Sequence, residues 1–572
     1  MSIFARPLAE ELASLSDTQL AALLQRRRVA SDAPWNDFFD AAEHLLDPAS
    51  VEDALGRLPL PLALAVWHPE SIDTDVERSL QLHALASPHS RVWPSVRDAA
   101  RVLPDPRHVA VTPDPLALMA HDEADPADTA RAAERASATV AAIAELVLFV
   151  STTPLVLRAN GILRTAERRR IEESNVLLGA ITTDDALALA RAARLVVVSD
   201  KQWQATPAGL EWVGFSRAQR WSTMVEAFRA ALPHDVRTPT GGWIPLEHWH
   251  QWYPWNTAWP HEYEALLRQA WLLGLLTDSG LPPWTQAIAE GHAASTEQLS
   301  PLLPAEVDRL FLQNDLTAIA PGPLAPALDV RLRRMAHREA ASHASSYRFT
   351  ADSMAQAFAE GETEADIIAF LHSISLTGVP QPLEYLVTQQ AHRHGLVRVR
   401  TDRTTGTTHI ESPDAAMLAT IAVDHSLRPL ALVREGTSLT TRVGTETVLW
   451  ALVDARYPAS AIDAAGHDIR FSRTITAADV PAQHPEYSSL IARLRERVGP
   501  DADAAWLERE LEAAVRGHQQ VELEIAMPDG SLRTLTVEAA GVGGGRFRGR
   551  DRAADVERSL PLRSIRTARI IS

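Results

Sequence analysis

The chain's 572 residues, 46% hydrophobic and 22% charged, have a globular balance over a length that calls for several cores rather than one. Cysteine is absent, which excludes disulfides, thiolate zinc sites, cysteine nucleophiles and cysteine-held iron–sulfur clusters. A net charge of −18 repels nucleic acid on average, so any contact with it must be local.

Residues 1–120 read as an N-terminal helical domain. Ser16-Asp17-Thr18-Gln19 has the capping-box pattern, and Leu20, Leu23 and Leu24 follow at helical spacing. Arg26, Arg27 and Arg28 close that helix, where cations suit the dipole; they read as a solvated helix end, with phosphate contact as the alternative. Early acidic residues before Leu20 argue against a signal peptide, and the longest apolar run, Ile143 to Leu157, is too interrupted to span a membrane. The expectation is a cytoplasmic, nucleoid-associated protein without membrane contact.

Asp122-Glu123-Ala124-Asp125 spells a helicase magnesium motif. With prolines on both sides and no phosphate loop upstream, it reads as an acidic, Ala-rich linker. The only lysine, Lys201, lies in Ser199-Asp200-Lys201-Gln202, with no glycine before it and no hydroxyl after it. It cannot serve a Gly-x-x-x-x-Gly-Lys-[Ser/Thr] loop, whose lysine reaches nucleotide phosphates.

Residues 131–232 predict three helices closed by a short hairpin, Val196–Val198 with Gln202–Ala205, a winged-helix-like outline. Arg164, Arg168, Arg169 and Arg170 are its basic cluster, offset by Glu167, Glu172 and Glu173. Residues 233–300 hold Trp243, Trp249, Trp252, Trp255, Trp259, Trp271 and Trp284 among prolines, which predicts a small Trp-packed domain more than a base-stacking surface. His248 and His250 lack a third ligand, so no metal site is expected.

Residues 301–480 form the next expected domain. Gln313-Asn314-Asp315-Leu316-Thr317-Ala318-Ile319-Ala320-Pro321-Gly322 leads into a predicted basic helix, Leu328 to Ala340, carrying Arg331, Arg333, Arg334 and Arg338. Helices then follow at Ala351–Glu360, after a Thr363 cap, and at Pro382–Arg393; strand 396–400, a turn at 403–406 and a return at 407–410 complete a second winged-helix-like module. If it docks like helix-turn-helix relatives, Gln381, Glu384, Thr388, Gln389 and Arg393 face the bases while Arg398, Arg400 and Arg403 hold phosphate.

Phe311-Leu312-Gln313, Asp315-Leu316-Thr317, Ala320-Pro321-Gly322, Tyr347-Arg348-Phe349-Thr350, Ser353, Ala357, Gly361, Ile367, Leu371, Pro380 and Gly395 carry a resemblance. Over residues 305–400 the chain resembles actinobacterial helicase-associated proteins that share a module with the N-terminal domain of XPB-type helicases. The resemblance implies a role in DNA handling beside such a motor, and none of the family's catalytic residues falls in the stretch.

Residues 481–572 are basic at their end: from Ser531 onward nine arginines face four carboxylates, about +5 against about −23 for the rest. Val521–Ile525 and Leu535–Val537 flank a Pro528-Asp529-Gly530 turn, and Gly541 to Gly545 precede Arg546-Phe547-Arg548-Gly549-Arg550. Alternation places Arg546, Arg548 and Arg550 on one strand face and Phe547 on the other. The segment is similar to the WYL domain, a small β-barrel of bacterial regulators, although the name-giving Trp-Tyr-Leu triplet is absent.

The sequence therefore predicts a mainly α chain with small β elements (α+β), an array of winged-helix-like modules ending in a small β-barrel. The expected function is a non-catalytic DNA-binding accessory, without cofactor or ATPase motor, acting on single-stranded, forked or duplex DNA beside an XPB-like helicase in repair. The alternative is a winged-helix transcriptional regulator with a WYL-like sensor.

Overall fold

The computed structural model describes residues 5–69, 73–87, 92–109, 113–114, 117, 122–174, 176–177, 179–341, 345–402, 405–477, 486–496, 498, 500–527, 531–552, 554 and 556–571. Helices predominate and the strands gather into small sheets, an α+β architecture. The chain forms two compact units, one built from residues 115–245 and 265–479, the other from 1–114, 246–264 and 480–572.

The first of these is organised on the helix Pro126–Thr152. Asp125 caps it, accepting the Asp128 main-chain N–H, and Pro126 fits the first turn because no partner is needed for its missing N–H. The acidic stretch read as a linker runs without helix up to its last residue, Asp125, which is the N-cap of a core helix. By length and composition this helix is long and apolar enough to cross a bilayer, yet most of its apolar window is buried within the unit, Val140, Ile143, Leu146 and Val147 among it.

Strand β1 (Leu155–Val156), helices Thr165–Glu173 and Thr183–Ala192, and the hairpin β2 (Val196–Ser199) and β3 (Gln202–Ala205) follow, with β1 added beside β3. Asp200 and Lys201 both sit at positive φ, 49° and 60°, the geometry of a two-residue hairpin turn. The lone lysine is an exposed hairpin tip.

A four-stranded sheet comes next: β4 (Phe311–Leu312), β5 (Thr317–Ala320), β6 (His337–Ala341) and β7 (Ser345–Arg348), in the order β4-β5-β7-β6. The motif at 313–317 is the tight turn between β4 and β5. Leu316 takes φ 65°, and the Thr317 hydroxyl donates into the Gln313 and Asp315 side chains that close the turn. The predicted basic helix 328–340 is corrected: the helix is Pro326–Leu332, and His337 and Arg338 belong to β6, opposite Arg348 and Tyr347. Sheet pairing with β7 overrode local helical preference there.

Helices Ala351–Ala359, Glu364–Ile374 and Gln381–Arg393 pack around Met354, Phe358, Ile367, Leu371, Leu383 and Val387, together with Tyr347 and Phe349 from the sheet. Thr350 and Thr363 cap the first two through Ser353 and Asp366 N–H groups. The hairpin β8 (Val397–Asp402) and β9 (Thr407–Glu411) then becomes the centre of a larger sheet. β10 (Val433–Glu435) and β11 (Ser438–Thr441) extend it beyond β9, while β12 (Ala459–Ile462) runs parallel to β8 and carries β13 (Asp468–Ile469). Both flanks of the predicted wing are thus covered. Arg403 and Thr404, at its turn, lie outside the described residues.

In the other unit, residues 5–101 form seven described helices, as the periodicity predicts, around a core that includes Phe38, Phe39, Leu45 and Trp93 and takes in Leu490, Leu494 and Trp506 from the later segment. Arg27 does not sit at a solvated helix end. It is 5% exposed and donates to the Leu45, Ser50 and His83 carbonyls, its pKa pushed down to about 10 by burial.

Trp249, Trp255 and Trp259 are buried in this unit, Trp243 and Trp284 in the other. His248 and His250 lie on a single 3-10 turn, Leu246–Gln251. Strands β14 (Gln520–Ala526), β15 (Leu532–Gly543), β16 (Arg546–Asp551), β17 (Val556–Pro561) and β18 (Ile565–Ile571) make an antiparallel sheet ordered β17-β16-β15-β14-β18. Helix Pro500–Arg516 packs on it through Leu507, Leu511 and Ala514. The predicted turn Pro528-Asp529-Gly530 lies outside the described residues.

Candidate nucleic-acid interface

Two exposed polar surfaces hold most of the predicted site residues that remain available to a partner. On helix Gln381–Arg393 the apolar side, Leu383 and Val387, is buried, so the opposite side carries Gln381, Glu384, Tyr385, Gln389, His392 and Arg393 outward. Gln381, Tyr385 and Gln389 recur every fourth residue and share one stripe. Tyr385 is 67% exposed, and reasoning from types and charge passed over it. Its signal was an aromatic on the polar side of an otherwise regular amphipathic pattern. Thr388 is differently placed: its hydroxyl donates to Glu364 at 2.6 Å and ties this helix to its neighbour.

On β8, Arg398 is exposed and Arg400 partly so, on the face opposite buried Val397 and Val399. Arg400 donates to Glu411 at 2.7 Å, which raises its pKa through that hydrogen bond, and Arg398 stands in register with the same Glu411. Of the three predicted wing arginines, Arg400 is thus offset on its own sheet, Arg398 is exposed and Arg403 lies outside the described residues.

Three of the four arginines in the basic cluster ahead of these helices are already paired within the unit. Arg333 and Arg338 converge on Glu145, at 2.9 and 2.7 Å, and approach Asp329 at 3.7 and 3.6 Å. Burial works against the Glu145 charge, but the two guanidinium groups outweigh it and hold its carboxyl below the usual range. Tyr347 donates to Asp329 at 2.6 Å. Arg331 reaches Glu362 at 3.2 Å and lies 4.3 Å over the Phe370 ring. Arg334 is exposed. In the second basic cluster Arg168 pairs with Asp184 at 2.8 Å and Arg170 with Glu167 at 2.5 Å, while Arg164 and Arg169 are exposed.

On the terminal sheet the alternation is as predicted: Arg546, Arg548 and Arg550 are exposed while Phe547 is fully buried. The cross-strand partners differ. Arg548 faces Gly541 and Ser559, and Arg546 faces Gly543 and donates to Ser559 at 2.9 Å. Arg550 stands between Glu538 and Glu557. Arg546 and Arg548 are thus the two arginines of this strand with no carboxylate opposite them in register, and glycines stand beside both.

Residues 310–436 match the family described as helicase conserved C-terminal domain. The match covers less than a quarter of the chain, from β4 through helix Gln381–Arg393 and the β8–β9 hairpin to β10. It supports a helicase-related, nucleic-acid-associated protein. The description is of a helicase C-terminal domain rather than of an XPB-type N-terminal module, and it does not reach the terminal sheet. No curated protein matches the chain.

Proposed function

We propose that this protein is a non-catalytic DNA-binding accessory that works beside a separate XPB-like helicase in DNA repair. The observation that carries the reading is the outward stripe Gln381, Tyr385, Gln389 and Arg393 on the third helix of a three-helix group, followed directly by a hairpin. That order is the winged-helix order, in which the third helix enters the major groove. Glutamine amides can pair with adenine edges and Arg393 and Arg398 with phosphate. The lack of a phosphate loop supports an accessory rather than a motor.

The terminal sheet supplies a second contact through Arg546 and Arg548. Its strand order, the register shift within β15 and the 3-10 turn Leu562–Ser564 before β18 favour a small WYL-like barrel. Arg333 and Arg338 are left out of the DNA-contact set because their charge is already matched by Glu145 and Asp329.

Fluorescence anisotropy with single-stranded, forked and duplex oligonucleotides across a salt series tests the reading. Binding should weaken steeply with salt, and Gln389→Ala with Arg393→Ala should reduce affinity at least tenfold, lowering the salt slope by about one. Absence of binding at low salt refutes it. Preference for one duplex sequence over forks would replace the accessory with the regulator reading.

A further inference from the structure

Beneath helix Pro126–Thr152 lies a cavity of about 280 Å³ that the DNA-binding reading does not use. Ala138, Ala141 and Ala142 form one apolar wall and Leu324 and Pro326 another; Arg217, Arg220 and Arg338 supply cationic lining. Its acidic lining, Glu145 and Asp329, is already engaged with Arg333, Arg338 and Tyr347, two carboxylates against two guanidinium groups.

Arg217 and Arg220 feel those carboxylates only at a distance and make no ion pair with them. Both project from helix Arg217–Ala231 three residues apart, hence on one face. Among the described residues neither guanidinium has a carboxylate within ion-pair distance. Arg217 Nη1 donates to Ser137 Oγ at 3.3 Å, while Glu306 accepts the Arg217 main-chain N–H at 2.7 Å. Arg220 is 6% exposed; its Nη2 donates to the Val213 carbonyl, its guanidinium lies 5.6 Å over Trp212, and its Nε has no hydrogen-bond partner. Burial lowers the pKa of both, that of Arg220 to about 10. Glu306 and Asp329, with Glu145 for Arg220, favour the charged forms without touching either guanidinium, and a buried guanidinium with no direct counter-ion is completed by an anion that reaches it.

We infer that this cavity binds a small organic anion, a carboxylate or phosphate monoester, whose acidic group lies against Arg217 and Arg220 and whose apolar part faces the alanine wall. Its volume is just below the range of ligand pockets, roughly 300–1,000 Å³, and suits a single-ring compound rather than a nucleotide.

Calorimetry and thermal unfolding of the full chain at fixed ionic strength, with phenyl phosphate, benzoate and inorganic phosphate as probes, test the inference. Phenyl phosphate or benzoate should bind saturably at one per chain and raise the unfolding midpoint, and whichever binds more tightly identifies the acidic group. Arg217→Gln should weaken that binding at least tenfold. Arg220→Met, which removes the charge but keeps the bulk, should leave the midpoint of the free protein at or above that of the parent while abolishing the ligand shift. Three outcomes overturn the inference: no saturable binding of either aromatic anion, equal affinity in Arg217→Gln, or displacement of phenyl phosphate by a short duplex, which would make the cavity a contact for DNA backbone.

Discussion

Glu145→Gln removes the nearer of the two carboxylates on which Arg333 and Arg338 converge. The Glu145 contacts to Arg333 and Arg338, at 2.9 and 2.7 Å, each correspond to a gross attraction of about 6 kcal/mol at an effective dielectric constant of about 20. Desolvation of all three groups offsets most of this, and deleting one partner of a buried pair typically costs about 3–5 kcal/mol. The side chains here retain 20–25% exposure and Asp329 remains near both arginines, so the expected loss is about 2–3 kcal/mol. Hydrogen exchange reads it locally: protection should fall in peptides from 126–152 and 337–348 and be kept in the 520–571 sheet. The folded carboxyl is held below its ordinary value, so its contribution is complete above the ordinary carboxylate range and is lost as pH falls through the folded pKa. Glu145→Gln should lack that acid-dependent part. A loss under about 0.5 kcal/mol at low salt, or unchanged protection, refutes the reasoning.

Glu510 is 7% exposed and burial pushes its pKa up to about 7, with Arg6 at 3.6 Å pulling the other way. Its contribution is therefore full below the ordinary value and lost as pH rises through about 7, so Glu510→Gln should be neutral near pH 4 and stabilise by up to about 3 kcal/mol at pH 8 in denaturant melts. Phe547→Ala should destabilise the terminal sheet by about 3–5 kcal/mol, read by loss of exchange protection in β14 to β16. Gly209 lies in helix Pro207–Val213, where alanine ordinarily helps by about 1 kcal/mol; a Cβ there would meet the Leu195 carbonyl oxygen at 2.2 Å, so Gly209→Ala should lower the melting midpoint instead.

Much of the fold was legible because it is locally encoded. Ser16, Thr350 and Thr363 announce helix starts, and their side chains make the capping bonds the pattern predicts. Asp125-Pro126 carries the same kind of signal, an Asx cap followed by proline in the first turn, and makes the same bond. Of the candidate interface, the outward stripe of helix Gln381–Arg393 and the alternating arginines of β16 follow from periods of 3.6 and 2.

The tertiary structure decided what periodicity does not encode, namely which charges are already matched. Arg333 and Arg398 are both arginines of predicted basic elements, yet Arg333 meets Glu145 from 188 residues away and Arg398 remains at the surface. Likewise β12 docks parallel to β8 across a long connection and turns an expected free wing into the middle of a sheet. Residue type and spacing determined the helices, the hairpins and the outward faces. Long-range pairing alone separated the arginines that hold the protein together from those left to meet a partner, because a charge's availability depends on its nearest counter-charge in space, wherever that lies along the chain.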